Sequence, residues 1–388
     1  MKHTLYLLPA IALALSLTSC IKDEPLNAEC DITAVETSWV EAHKAILVGN
    51  PIITNDHVSF TLQKGSDRTA MDPRFTLTEG ATITMLDEHN DAVEANGVTR
   101  DFSMPQTYTT HSQDGQWSKN YTVSFNYPTA ISSLSFEHFE LDNTKRYQEW
   151  YEVDSLDTTN PKREYWSTGN PGYAITGKGK DPSLYPTVSD PLGVSGNCVK
   201  LTTCGTGSFG DLVGMPIAAG SIFIGTFDTK IAMKRPREAT AFGLQLVSRK
   251  PTTLEGYYKY TEGEIFTDKD KKVCPERHDT ADIYAVVYEL PYDENGIAQL
   301  EPLNGDEVLS SDRIVMLARI ADPGQPSTWK HFSEPFVLQP GKTWSEERLN
   351  RDGYAISVVA TSSRQGAYFE GSIGSTLWVD ELKVNWEE

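Results

Sequence analysis

Apolar and polar residues alternate with period two along much of this chain, and that pattern limits the available folds more than any other feature. In Val58-Ser59-Phe60-Thr61-Leu62 and Thr82-Ile83-Thr84-Met85 the apolar side chains fall at every second position. A strand with one face on a core requires that spacing, whereas a helix needs a repeat near 3.6. Turn residues return every ten or so positions, and no apolar stripe of helical period runs beyond two turns. The 28 Gly, 21 Pro, 17 Tyr and 8 Trp suit turn-rich strands better than helical bundles.

A length of 388 residues makes two or three domains at about 100 to 200 residues each. Strands expected at 45–48, 58–62, 81–85 and 121–125, with Asp114-Gly115 as a tight turn, predict an immunoglobulin-like β-sandwich over residues 32–127. Pro128 stops the last strand, so 128–134 reads as a linker. Nine further strands are expected at 172–176, 198–203, 221–227, 242–248, 283–290, 314–320, 331–338, 354–360 and 375–384. Without helices to make parallel crossovers, residues 135–388 should form a larger antiparallel β-sandwich jelly roll, and the chain is all-β.

The N-terminus carries Lys2 and then an apolar run over 5–17. That is the length of a signal-peptide core and too short to cross about 30 Å of hydrocarbon. The run ends in Leu17-Thr18-Ser19-Cys20, which resembles a bacterial lipobox. The resemblance implies a lipoprotein signal peptide at 1–19, lipidation at Cys20, and a tether over 20–31 that anchors the protein to a membrane without spanning it. Ile21-Lys22-Asp23-Glu24 resembles the export tag of Bacteroidetes lipoproteins, which implies display on the cell surface at the outer membrane.

With 54 acidic against 34 basic side chains, net charge −20, the chain repels phosphate backbones, which excludes nucleic acid as a partner. The same excess suits neutral or basic partners better than strongly anionic ones. Beyond Cys20 there remain Cys30, Cys198, Cys204 and Cys274. Cys198 and Cys204 are about 20 Å apart if extended, so thiols are expected rather than a disulfide framework. The eight His show no paired ligand spacing, so no zinc is expected, and no cofactor is called for.

The second region opens with Ser135-Phe136-Glu137 and Trp150 and closes with Gly374-Ser375-Thr376-Leu377-Trp378-Val379-Asp380-Glu381-Leu382-Lys383-Val384. Both ends resemble those of jelly-roll carbohydrate-binding modules. Together with the segments Tyr165 to Tyr173, Gly256 to Gly263 and Asp282 to Val286, they resemble a Bacteroidetes lipoprotein family. In that family an immunoglobulin-like N-terminal domain precedes a jelly roll named as a carbohydrate metabolism domain.

The resemblance implies a glycan partner, and sugar recognition needs aromatic rings with a few fixed polar groups. Trp166, Asn170 and Tyr173 fall in one loop-like stretch and are expected at a sheet edge. Tyr257 and Lys259 point one way along their strand while Tyr258 and Tyr260 point the other. Asp282 and Tyr284 share a face, with Lys259 to Asp282 as a cross-strand pair. The binding set expected is therefore Trp166, Asn170, Tyr173, Tyr257, Lys259, Asp282 and Tyr284.

A glycoside hydrolase would instead need two facing carboxyl groups. The nearest motif, Glu152-Val153-Asp154-Ser155-Leu156-Asp157, lacks the final Glu of the usual pattern, so no catalytic residue is assigned. Glu137 and Asp380 stand where related jelly rolls hold calcium, yet paired or solvated carboxylates are the simpler expectation. The sequence thus points to a lipid-anchored glycan-binding protein serving polysaccharide capture, with surface glycan-uptake proteins as the partners to look for. A jelly-roll glycoside hydrolase and an adhesin-like structural protein are the alternatives.

Overall fold

The computed structural model describes residues 26–63, 66–87, 89–127, 131, 133–154 and 162–387. The expected signal peptide, Cys20 and its export tag, most of the linker core, and Ser155 to Asp157 of the acidic motif lie outside the described residues. Two separate sets of inward-facing side chains close into cores. The first runs from Ile32 to Phe125 and takes Val58, Phe60 and Leu62 from one strand, as period two demands. Phe60 stacks on Phe125 with centroids 4.2 Å apart.

Around this core a six-stranded sheet is ordered Ile52–Ile53, His57–Thr61, Ser118–Asn126, Gln106–His111, Thr82–Leu86, Ala92–Glu94, with His57–Thr61 parallel to Ser118–Asn126. The pair Ile32–Val35 and Phe75–Leu77 stands apart from it. The strand expected at 45–48 is not formed. Instead helix Thr37–His43 precedes it, and Leu47 makes only an isolated bridge to Leu62. Trp39 on that helix is buried in the core, its indole donating to Asp72 at 2.9 Å. Seven helical residues are too few to show an apolar stripe, so the three-residue run Ile46 to Val48 dominated the pattern.

The second core lies between two antiparallel sheets. The larger is ordered Leu303–Asn304, Thr240–Phe242, Ser221–Phe227, Tyr354–Thr361, Asp282–Glu289, Ile314–Arg319, Val337–Leu338; the smaller Thr187–Asp190, Cys198–Thr202, Thr376–Trp386, Pro251–Thr261, Lys330–Pro335. Ile222, Ile224, Ile283, Ala285, Ile356 and Val358 meet Val199, Leu201, Leu254, Tyr258, Leu377 and Val379 between the sheets. This two-sheet sandwich is the all-β architecture that alternation demanded. The strand expected at 172–176 is instead helix Asn170–Ile175, started by Pro171 in its first turn, where a fixed φ and a missing N–H favour helix entry. Cys30, Cys198, Cys204 and Cys274 are free thiols, and burial pushes the Cys198 thiol up to about 12.

The two units touch. Val48 is buried in the cluster of Leu300, Tyr288 and Phe242 that covers the outer face of the larger sheet. Gly49 has φ +70°, and a Cβ there would come within 2.5 Å of the Leu300 backbone nitrogen, so only glycine permits this approach. At a second contact, His57 places Nδ1 2.7 Å from Asp56 and Nε2 2.9 Å from Glu164 of the second unit. Lys162 also reaches Glu164, at 2.7 Å. Burial alone would lower the His57 pKa, but the two carboxylates outweigh it and raise it to about 10. Burial likewise pushes Glu164 up, while His57 and Lys162 pull it down to about 2.

The pH dependence follows from linkage. The His57 contribution is complete below its ordinary value of 6.5 and is lost as pH rises through about 10. The Glu164 contribution is complete above its ordinary 4.5 and is lost as pH falls through about 2. The melting temperature of His57→Gln should therefore fall furthest below wild type between about pH 4.5 and 6.5 and converge on it above about pH 10. A deficit constant from pH 5 to pH 10.5 in differential scanning fluorimetry would show that the ion pair does not hold the units together.

Candidate functional site

The smaller sheet has one face on the core and one toward solvent. In register across that outer face run Val188, Lys200, Trp378 and Lys259, and Trp329 extends the row just before the edge strand Lys330–Pro335. The Lys259 ammonium lies 4.5 Å from the Trp329 ring centroid and 5.0 Å from that of Trp378, and the Lys200 ammonium lies 5.6 Å from Trp378 on the neighbouring strand. Cations at these distances are attracted to the negative ring faces. Thr202, Thr376 and Thr261 flank the row on one side. On the other side Tyr257 meets His331 edge-on at 5.0 Å. Asp190 accepts the Trp378 indole N–H at 2.9 Å.

Loop 191–197 walls this face, held by two carboxylates. Asp380, fully buried, accepts the backbone N–H groups of Val194 at 2.6 Å and Ser195 at 3.2 Å, and burial lifts its pKa to about 6. Glu137 accepts the Asn197 N–H at 3.0 Å. These are the two carboxylates nominated for calcium. Among the described residues no group of three or more His, Cys, Asp or Glu side chains converges as a metal cradle.

Of the residues expected to bind sugar, the structure brings Tyr257 and Lys259 to the open face, while Tyr258 and Tyr260 point into the core. The other five lie elsewhere. Trp166 is 8% exposed, packs on Phe136 and donates its indole N–H to buried Glu152 at 2.9 Å. Asn170 is fully buried in a helix rather than a loop; its amide donates to the Thr187 carbonyl at 2.8 Å and accepts the Thr187 N–H at 3.1 Å, which clamps the edge strand. Tyr173 packs against Tyr185 in a small cluster with Tyr147.

Asp282 belongs to the larger sheet, so it does not pair with Lys259. It binds Arg319 through two bonds of 2.8 and 2.6 Å. Tyr284 is buried under the cover of that same sheet. Two reasons account for Trp166, Asn170, Tyr173 and Asp282. A Gly- and Pro-rich sequence around a ring does not expose it when the segment folds back over a sheet edge, and an acid two positions from a tyrosine finds whichever cation the neighbouring strand supplies.

Sequence reasoning missed Trp329, Trp378, Lys200 and His331. Trp378 was legible, because in Thr376-Leu377-Trp378-Val379 the apolar pair Leu377 and Val379 must face the core, which turns Trp378 outward. Trp329 carried no such signal, since its position depends on which strand pairs with Pro251–Thr261.

The buried carboxylates have structural partners. Glu152 accepts from Trp166 and from Ser135, and burial raises its pKa despite them. Asp279, also raised by burial, accepts from Ser363, Ser375 and the Ser372 N–H at 2.5 to 2.8 Å. Asp154, the second acid of the expected motif, pairs with Arg163 at 3.0 Å.

Residues 135–385 match the model of the family described as "Putative carbohydrate metabolism domain". The chain belongs to this family. Residues 46–125 match the N-terminal domain of SGBP, surface glycan-binding protein. A Bacteroides thetaiotaomicron structure described as a putative glycoside hydrolase is 37% identical, with 95% of this chain and 99% of that one covered and a TM-score of 0.81. A second of the same description, from Bacteroides vulgatus, is 34% identical over 67% of this chain and all of that one, with a TM-score of 0.59. No curated protein matches the chain. Family membership and fold thus agree on a carbohydrate-associated β-sandwich protein.

Trp166→Ala should destabilise the protein by about 3–5 kcal/mol, because it opens a core cavity and removes one donor from the buried Glu152 carboxylate. Chemical denaturation would measure the loss; a change below about 1 kcal/mol would mean that Trp166 is not a core residue.

Proposed function

We propose that this protein captures oligo- or polysaccharide at the cell surface, on the open face of the smaller jelly-roll sheet. The row Lys200, Trp378, Lys259, Trp329 supports this reading most directly. It sets indole surface beside hydrogen-bond donors on a rigid sheet, with Thr261, Tyr257 and His331 within reach of sugar hydroxyls. Rings in contact with C–H surface and a few fixed polar groups are what glycan recognition needs. Lipidation at Cys20 after removal of residues 1–19 would tether the chain to the outer membrane, the N-terminal unit would lift the jelly roll from it, and surface glycan-uptake proteins would receive the bound chain. Among the described residues no helix is long and apolar enough to cross a membrane.

The description of both solved relatives as glycoside hydrolases favours a second reading, cleavage in the same domain. Against it stand the buried carboxylates Glu152, Asp279 and Asp282, whose oxygens are bonded to indole, hydroxyl or guanidinium donors rather than free to attack or protonate a sugar. A glycan array followed by product analysis of every bound glycan separates the two. Binding without cleavage is expected, and release of shorter sugars would make the protein an enzyme. Trp329→Ala should weaken binding by roughly five- to thirtyfold with little change in melting temperature. Unchanged affinity would remove this face from the binding site.

A further inference from the structure

The lysines of the open face differ from those lysines of the molecule that are held in ion pairs. Lys119, Lys162, Lys250 and Lys271 each lie within 3.0 Å of a carboxylate, as expected where acids outnumber bases 54 to 34. Lys200 and Lys259 form no ion pair among the described residues; their ammonium groups lie over Trp378 and Trp329 instead. A ring quadrupole fixes a cation without cancelling its charge. Asp190 lies within the field of both lysines, and its Oδ2 takes the Trp378 indole N–H while its Oδ1 takes the Leu192 N–H at 3.0 Å. Burial opposes its ionisation, yet these donors and the field of both lysines hold its pKa below the usual carboxylate value.

The result is a positive stripe on a strongly acidic protein. Lys200 and Lys259 stand on strands two apart, on either side of Trp378, about 9–10 Å from each other. Net charge acts at long range and is screened within about 8–10 Å at physiological salt, so at contact distance the stripe governs. The overall negative charge makes approach of a polyanion slower but leaves the bound contacts intact.

We infer that this face selects glycans bearing fixed negative charge, uronate carboxylates or sulfate esters, over neutral ones. This selectivity presupposes the binding face proposed above and reverses, for the site, the preference that net charge alone would suggest. The ammonium groups meet successive anions along the sugar chain, while Trp378 and Trp329 hold the lysines upright and keep the contact dry.

The test is affinity electrophoresis and titration calorimetry of the full mature chain with four polymers. Polygalacturonate and its carboxyl-reduced neutral form test the carboxylate source; dextran sulfate and dextran test the sulfate source. At least one anionic polymer should bind more tightly than its neutral partner, and the affinity should fall as NaCl rises from about 50 to about 500 mM. Lys200→Gln with Lys259→Gln should weaken that binding roughly tenfold, and Lys200→Arg with Lys259→Arg should retain it. Equal affinity for charged and neutral members of both pairs, or anion binding that survives the Gln double variant, overturns the selectivity. Binding of neutral polymers that Trp329→Ala abolishes would leave the binding face standing while this selectivity fails. Binding of none of the four overturns both.

Discussion

The pairing of Pro251–Thr261 with Thr376–Trp386 is the constraint on which the rest of the jelly roll depends. Two eleven-residue strands, more than a hundred residues apart in sequence, lie side by side at the middle of the smaller sheet. Their inward positions, Leu254, Tyr258, Tyr260, Leu377, Val379, Leu382 and Val384, supply one wall of the core. Their outward positions, Tyr257, Lys259 and Trp378, supply the middle of the open face. A slip of one residue would exchange the two sets, placing ammonium against Ile283 and tyrosine in water, so burial of the core fixes the composition of the outer face. The bulge at Glu381, with φ +50°, inserts one residue and lets Asp380 turn outward under loop 191–197 while Leu382 still faces the core.

The same physics explains why local and overall charge diverge. A lysine on a protein with surplus carboxylates gains from an acid wherever chain geometry brings one within reach, as it does for Lys119, Lys162, Lys250 and Lys271. On the open face the cross-strand neighbours of Lys200 and Lys259 are set by register, and register places tryptophan there. The cations are therefore fixed without being neutralised. The contact between the units runs the opposite way. His57 gathers Asp56 and Glu164, with Lys162 beside them, and at a separate contact Val48 and Gly49 press on Leu300, so the N-terminal unit is packed against the jelly roll rather than merely strung to it.

Much of the fold was legible before any coordinates. Alternation identified the strands at 58–62, 82–85 and 121–125 and most of those in the second unit, because a half-buried strand writes its burial into every second residue. It failed where elements are short. The helix around Trp39 and the helix begun by Pro171 span seven and six residues, less than the length over which a helical period can be read. The site was legible only in part. Parity along their own strand puts Tyr257 and Lys259 on the open face, whereas Trp166, Asn170 and Asp282 were judged by local composition and are bonded within the interior to Glu152, Thr187 and Arg319.

The sequence by itself determined the class of the protein: alternating strands broken by turns, two units, and a family resemblance written into both ends of the second one. It also determined, through parity along each strand, that Trp378 and Lys259 face away from the core. Which of those outward residues stand together was decided only by the tertiary structure, because neighbours across a sheet come from segments far apart in the chain and register is set by the packing of the opposite face. Lys200, Trp378, Lys259 and Trp329 are dispersed from position 200 to position 378 of the sequence, and only the sheet order makes them one row.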